Sequence, residues 1–485
     1  MQINFEDKES SMTSPLAANL LVSLKGIVQP MDGKVIVLDE KRLRGPVMDD
    51  LVRKAVFAGP AEMEAARWLI WEIAQALGIR PASIHDFYMS RGAGKYGNLT
   101  VPAMNLRGLT YDSARAAFRA ALELAVGALI FEIARSEIGY TNQRPAEYTA
   151  VVLAAAIREG FRGPLFLQGD HFQVNLKKWK ATPEAEVGAV KDLIVEAIAA
   201  GFYNIDIDTS TLVDLSRPTV FEQQRNNFMA GSDLAAFVRA HEPKGITISL
   251  GGEIGEVGGK NSTEEELRAF MDGFNQELAR HGNYPGLSKI SIQTGTSHGG
   301  VVLPDGTLAQ VKIDFDVLRR LSGVARTEYG MAGAVQHGAS TLPDTAFGKF
   351  VESEACEVHL ATGFQNMIYD HPALPEKFRD QVYAWLRENT ADERKPGDTD
   401  EQFYYKTRKK GFGPYKAEWW GLGEDVIGPI RDALQNQFAF LFQKLNVVNS
   451  MELVKRFVTA PEVHRPMPTG AVQAVQAEDA GGLAA

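Results

Sequence analysis

The sequence predicts an α/β protein, a (β/α)8 TIM barrel with an extra N-terminal segment and C-terminal helices. Apolar segments of strand length alternate with longer amphipathic ones, and the alternation runs through about eight units in roughly 270 residues, the size such a barrel needs. The clearest strand, Leu165-Phe166-Leu167, is a continuous bulky run bounded by Gly163 and Pro164, as strands covered on both faces are. A doubly wound open sheet uses the same alternation; the count of eight favours closure.

Residues 1–98 precede the alternation. A short strand is expected over 33–39 and two helices over 49–78, the second with Met63, Trp68, Leu69, Ile73 and Leu77 at near-helical spacing, a stripe that reads as core or interface. The glycine-rich stretch 92–97 lacks the other parts of a phosphate-binding loop and reads as a turn. The barrel is expected over 99–372, with strands at 100–106, 128–134, 164–171, 203–208, 246–252, 290–298, 333–340 and 356–362. Helices follow at 113–124, 146–159, from 182, 221–241, from 262, 315–329, 344–353 and 365–369. Thr182 before Pro183, and Ser262-Thr263 before Glu266, are helix-start chemistry. A helical extension is expected over 373–465, with helices at 374–388 and 429–445 and a charged loop at 389–400. Pro429 is expected to open the second of these helices. Ile430, Leu434, Phe438, Leu441 and Phe442 line one of its faces, which packs back on the barrel or makes a subunit contact, so a homo-oligomer is expected. The tail 466–485, rich in Ala, Gly and Gln, is expected to be disordered.

Composition narrows the function. At 485 residues, 45% hydrophobic and 23% charged, the chain can bury a large core. A net charge of −10 without a run of Lys or Arg excludes a nucleic-acid footprint. Cys356 is the only cysteine, which favours a reducing compartment. The start of the chain is polar and acidic rather than a secretory signal, and the apolar stretch 68–79 is too short to span a bilayer. A cytoplasmic protein with no membrane partner is expected.

Histidines stand at the ends of three inferred strands: His171, His298 and His337. In a closed barrel the carboxyl ends of all strands converge on one face. Three imidazoles with an open position suit a catalytic zinc ion, although each histidine alone reads more readily as a hydrogen-bonded structural residue. Asp170 precedes His171, so strand alternation would aim one at the metal and the other at the substrate, as an acid/base or as an orienting carboxylate. Glu253 and Glu256 end the fifth strand, as base, metal-site carboxylate or solvated loop. Gly299, Gly338, Ala339, Ser340 and Thr362 would offer backbone N–H and hydroxyl groups to an anion such as phosphate, or serve only as tight connections.

Ordered segments then carry a resemblance: Val101-Pro-Ala-Met-Asn105, Asp170-His171, Ile207-Asp208-Thr-Ser210, Gly252 to Gly259, Gly295-Thr-Ser-His-Gly299, Asp314-Phe-Asp316, His337-Gly-Ala-Ser340 and Val358-His-Leu-Ala-Thr362. Over about 99–447 the chain resembles the class II, metal-dependent fructose-bisphosphate and tagatose-bisphosphate aldolases. The resemblance implies that His171, His298 and His337 bind Zn2+, with Mn2+ or Co2+ as possible replacements. It makes Asp170 the acid/base on the C4 hydroxyl of a ketose phosphate and puts Glu253 near the site. The metal polarises the carbonyl so that C3–C4 cleavage leaves an enediolate. The loops at Gly299, 338–340 and Thr362 hold the triose phosphate. Three positions depart from that pattern: Gln168 replaces a histidine, His359 replaces an asparagine that contacts the triose, and Val301 and Val302 stand where a lysine is common. Relatives of this scaffold include ketose C4-epimerases working by retro-aldol cleavage and non-catalytic companion subunits of tagatose-bisphosphate aldolases, and these stay open as alternatives.

Overall fold

The computed structural model describes residues 20–31, 34–255, 260–295, 302–304 and 313–468. A hairpin of β1 (Val28–Met31) and β2 (Lys34–Val37) precedes β3 (Ile79–Pro81). The ring follows: β4 (Val101–Asn105), β5 (Ile130–Ala134), β6 (Gly163–Gln173), β7 (Asn204–Asp208), β8 (Ser249–Glu253), β9 (Lys289–Ile292), β10 (Ala334–Gln336) and β11 (Glu357–Leu360). Every neighbouring pair is parallel, and β11 pairs back on β4, with Leu360 opposite Met104. That last pairing decides for the closed barrel over the open sheet. β3 was not foreseen: it lies outside the ring, parallel to the start of β6, with Ile79 opposite Gly163.

The helices begin and end where local chemistry says they should. Thr219 with Glu222 and Thr263 with Glu266 form capping boxes, so Thr263 rather than Ser262 is the cap. Pro145 and Pro183 open their helices, and Gly160, Gly201 and Gly330 close theirs in the left-handed conformation. The helix Pro145–Glu159 is buried almost all round, because the ring lies on one side and Met48–Phe57 and Pro60–Ala76 pack on the other. Its alanines let three helices approach closely there.

Near the C-terminus, the long helix is Glu424–Lys444, and Pro429 lies inside it rather than at its start. Glu424 and Asp425 occupy its first turn, where negative charge is favourable. Its apolar face packs against Thr110–Glu123, fixed by Arg431 donating to Asp112 at 2.7 Å, so within this chain the face serves the barrel. Residues 460–465 strap the N-terminal segment: Trp68 donates to the Arg465 carbonyl at 2.9 Å and Trp71 to that of Val463 at 2.6 Å. The Arg465 guanidinium covers the Trp71 ring, 3.4 Å from its centroid. The predicted tryptophan stripe is therefore core with one edge under the strap. Among the described residues, no helix is long and apolar enough to cross a membrane.

Candidate active site

The carboxyl end of β6 sets up the site. The register against β7 shifts between Gly169 and Phe172, and His171 takes a positive φ of 41°. Phe172 folds under Gly169, where a Cβ would lie 2.4 Å from its ring, and is fully buried. The bulge overturns simple alternation: Asp170 and His171 both turn into the mouth of the barrel, with Asp170 Oδ1 3.8 Å from His171 Nε2.

His337, just past β10, and His359, on β11, reach the same oxygen. Asp170 Oδ1 is 3.5 Å from His337 Nε2 and 3.2 Å from His359 Nδ1. The rings of His171 and His337 lie 4.3 Å apart, and those of His337 and His359 4.1 Å. Burial alone would raise the Asp170 pKa, but the facing imidazoles of His171 and His359 hold it well below the usual carboxylate range. On its far side His171 Nδ1 donates to Asp208 at 2.9 Å, with Glu253 at 3.4 Å. Asp208 is itself held by Gln173 and Ser210. This fixes the tautomer that turns Nε2 towards Asp170 and His337. Burial, then the Asp208 carboxylate, raise Glu253 to about 7.

The donor set fits a divalent ion. One ligand atom each from Asp170, His171 and His337 lie within 4.8 Å of one another, and two imidazoles beside a carboxylate are zinc-type ligands. Three other groupings are in reach. His171 with Asp208 and Glu253 is the hydrogen-bonded set just described, while Glu132 with Glu357 and His359, and Asp170 with Asp206 and His359, share a region that already holds a cation. The Lys289 ammonium is 2.5 Å from Glu357 and 2.9 Å from Asp206. Gly251 makes room for it, since a Cβ there would lie 2.3 Å from the Asp206 carboxylate. Gln168 completes this group, donating to Glu132 at 3.0 Å and Glu357 at 2.9 Å and accepting from Lys289 at 2.8 Å. The departure at Gln168 is thus an amide that can donate and accept at once.

Of the predicted site residues, Asp170, His171, His337, Glu253 and His359 come together. Ser340 lies on the loop after β10 and Thr362 is the first residue of the helix Thr362–Tyr369; the Ser340 hydroxyl joins them by accepting from Gly363 N at 3.1 Å, and Gly338 takes a positive φ of 68° ahead of the buried Ala339. His298, Gly299 and Glu256 lie outside the described residues. Sequence reasoning missed Glu132, Asp206, Lys289 and Glu357 altogether. A signal existed: charges set inside or beside apolar strand runs, as in Ile130-Phe-Glu-Ile133 and Ile205-Asp-Ile207, which a core tolerates only when they are paired.

Comparison with known proteins places the chain among relatives. The profile of the family described as fructose-bisphosphate aldolase class-II matches residues 92–408. A fructose-bisphosphate aldolase from Campylobacter jejuni is similar in structure at 16% identity and a TM-score of 0.45, over 77% of this chain and 98% of that one. The YdjI aldolase from Escherichia coli K12 is similar at 12% identity and a TM-score of 0.44, over 76% and 98%.

Proposed function

We propose, from the premise that the chain belongs to the class-II fructose-bisphosphate aldolase family, that it is a divalent-metal-dependent lyase cleaving and forming the C3–C4 bond of a ketose phosphate. The observation that carries this reading is the meeting of Asp170 with His171 and His337 at one buried oxygen. Those two histidines, with His298 as the third imidazole, would hold the ion; zinc suits such donors, and manganese or cobalt could replace it. When bound, the ion supplies Lewis-acid polarisation of the ketose carbonyl, which lowers the cost of negative charge on the adjacent carbon.

The remaining work falls to side chains. Asp170, held ionised, accepts the C4 hydroxyl proton as the C3–C4 bond breaks. The hydroxyl carbon leaves as an aldehyde, and the bonding electrons stay with the triose. C3 then takes a proton, and Glu253, with a pKa near neutral, is suited to hand it over. Asp208 keeps His171 in one tautomer throughout. Backbone N–H groups and hydroxyls at Gly299, Gly338, Ala339, Ser340 and Thr362 would hold the triose phosphate, and His359 would take the triose contact expected of an asparagine.

The test is to load the protein with zinc, add fructose 1,6-bisphosphate or its tagatose epimer, and follow triose phosphate release. Release that is lost in Asp170→Asn supports the assignment. No release from either sugar, with metal bound stoichiometrically, rejects it.

A further inference from the structure

The residues ahead of the family match contribute more than packing. The helix His85–Gly92 lies at the amino-terminal end of the barrel, and its Tyr88 is fully buried. The phenol donates to Glu357 Oε2 at 2.5 Å, at the first residue of β11. The other oxygen of Glu357 is 2.6 Å from His359 Nε2 and 2.5 Å from the Lys289 ammonium, and it also accepts from Gln168. Glu357 and His359 are two residues apart on one strand, so their side chains share the lumen face. The opposite edge of the His359 ring meets Asp170 at 3.2 Å. A line of contacts therefore runs through the barrel, from a tyrosine outside the ring of strands to the carboxylate at its mouth.

We infer that Tyr88 is a positioning residue for the reaction: by holding Glu357, it fixes the His359 imidazole beside Asp170. This rests on the aldolase reading for its catalytic consequence but not for its structural one. A carboxylate with one oxygen bound by Tyr88 cannot rotate about its terminal torsion, so its second oxygen stays aimed at His359. Lys289 and Gln168 fix that second oxygen from the side. Without the phenol, Glu357 keeps Lys289 and Gln168 at Oε1 but loses the donor at Oε2 that sets its plane, so His359, which Glu132 also meets at 3.1 Å, loses the aim of its Nε2 anchor.

The experiment uses the full chain with 15N-labelled histidine. The imidazole N–H proton between His359 and Glu357 is assigned by its loss in His359→Gln. In Tyr88→Phe this resonance is expected to move or be lost to exchange. With zinc bound, kcat for ketose bisphosphate cleavage should fall about tenfold with KM unchanged, as when an outer hydrogen-bond partner is removed. Phe87→Leu, which trims packing on the same helix, should leave both readouts in place. A resonance that stays put in Tyr88→Phe overturns the inference, and so does one that moves while kcat of an active protein stays constant. If the unaltered protein cleaves no ketose phosphate, the proposed function fails, and the resonance alone still decides the role of Tyr88. Should Tyr88→Phe not fold, 3-fluorotyrosine at position 88 keeps the shape, strengthens the donor and is read in the same way.

Discussion

Two buried clusters of histidine and carboxylate sit side by side in the barrel, made of the same residue types and equally compact, yet their chemistry differs. In the outer one, Asp170, His171 and His337 gather around a point that no side-chain ammonium or guanidinium occupies among the described residues. In the inner one, Glu132, Glu357 and His359 surround carboxylates that Lys289 already neutralises. A built-in ammonium already neutralises the inner carboxylates, whereas the described neighbours of Asp170 are imidazoles, with the Arg107 charge also acting on it. Donor type and spacing alone therefore do not separate the two clusters; the ammonium beside one of them does.

The largest effect should come from the outer cluster. His337→Ala is expected to lower aldol cleavage roughly 10³-fold, the scale of losing Lewis-acid stabilisation. Zinc at ~1,000 times its Kd should stabilise the unaltered protein by about 4 kcal/mol, and the variant should show almost none of that in thermal melts. If His337→Ala keeps the full zinc-induced shift, the metal sits elsewhere and the comparison breaks.

Lys289→Met tests the inner cluster. It removes the ammonium that Glu357 and Asp206 share and leaves only the His359 imidazole to face both carboxylates, so urea melts should show a loss of about 3–5 kcal/mol. Zinc stoichiometry in the unaltered protein should be one per chain; two would mean that the inner group also binds metal.

His85 sharpens the contrast, because it is a buried histidine facing a guanidinium rather than carboxylates. Burial, then Arg239, lower its pKa from 6.5 to about 4. The folded state keeps it neutral, while the unfolded chain binds a proton below pH 6.5, so stability is lost as pH falls from 6.5 towards 4. The loss should reach roughly 3 kcal/mol, and the difference between His85→Asn and the unaltered protein in urea melts at pH 7 and pH 4 should show it. An identical slope in both proteins would show that His85 does not titrate differently on folding.

The smallest effect is expected at Glu132. Burial, then Asp170, raise its pKa to about 7, so at pH 6 it is mostly a neutral acid. Glu132→Gln should therefore change stability at that pH by no more than about 1 kcal/mol. Glu357→Gln should cost several times more, since Lys289 holds that carboxylate ionised. Equal costs would erase the distinction between the two carboxylates.

Much of this was legible beforehand. The helix expected over 315–329 is Phe315–Tyr329, and the eight ring strands fall inside or across their expected spans. The histidine and aspartate candidates within the described residues converge as the strand ends implied. The misses have local causes. The bulge at Gly169 defeats period-two reasoning, because an extra residue turns two neighbours to one side. β3 is too short to show a period. Pro429 is helix-start chemistry, but the acidic turn at Glu424 and Asp425 before it is the better signal.

By itself, the sequence determined the ring. Strand and helix periods, caps and turn glycines are written residue by residue, and the count of eight such units favours the closure that the β11–β4 pairing then decides. It also determined which donors reach the mouth, because a parallel barrel sends every strand end to one face. Tertiary structure alone decided what surrounds those donors. That Lys289 falls between Asp206 and Glu357, that Gly251 leaves it the space, and that Tyr88 reaches Glu357 from outside the ring depend on strand register and closure. Register sets distances across the lumen between residues such as Gln168 and Glu357, 189 positions apart in the chain, and no local pattern encodes a distance of that kind.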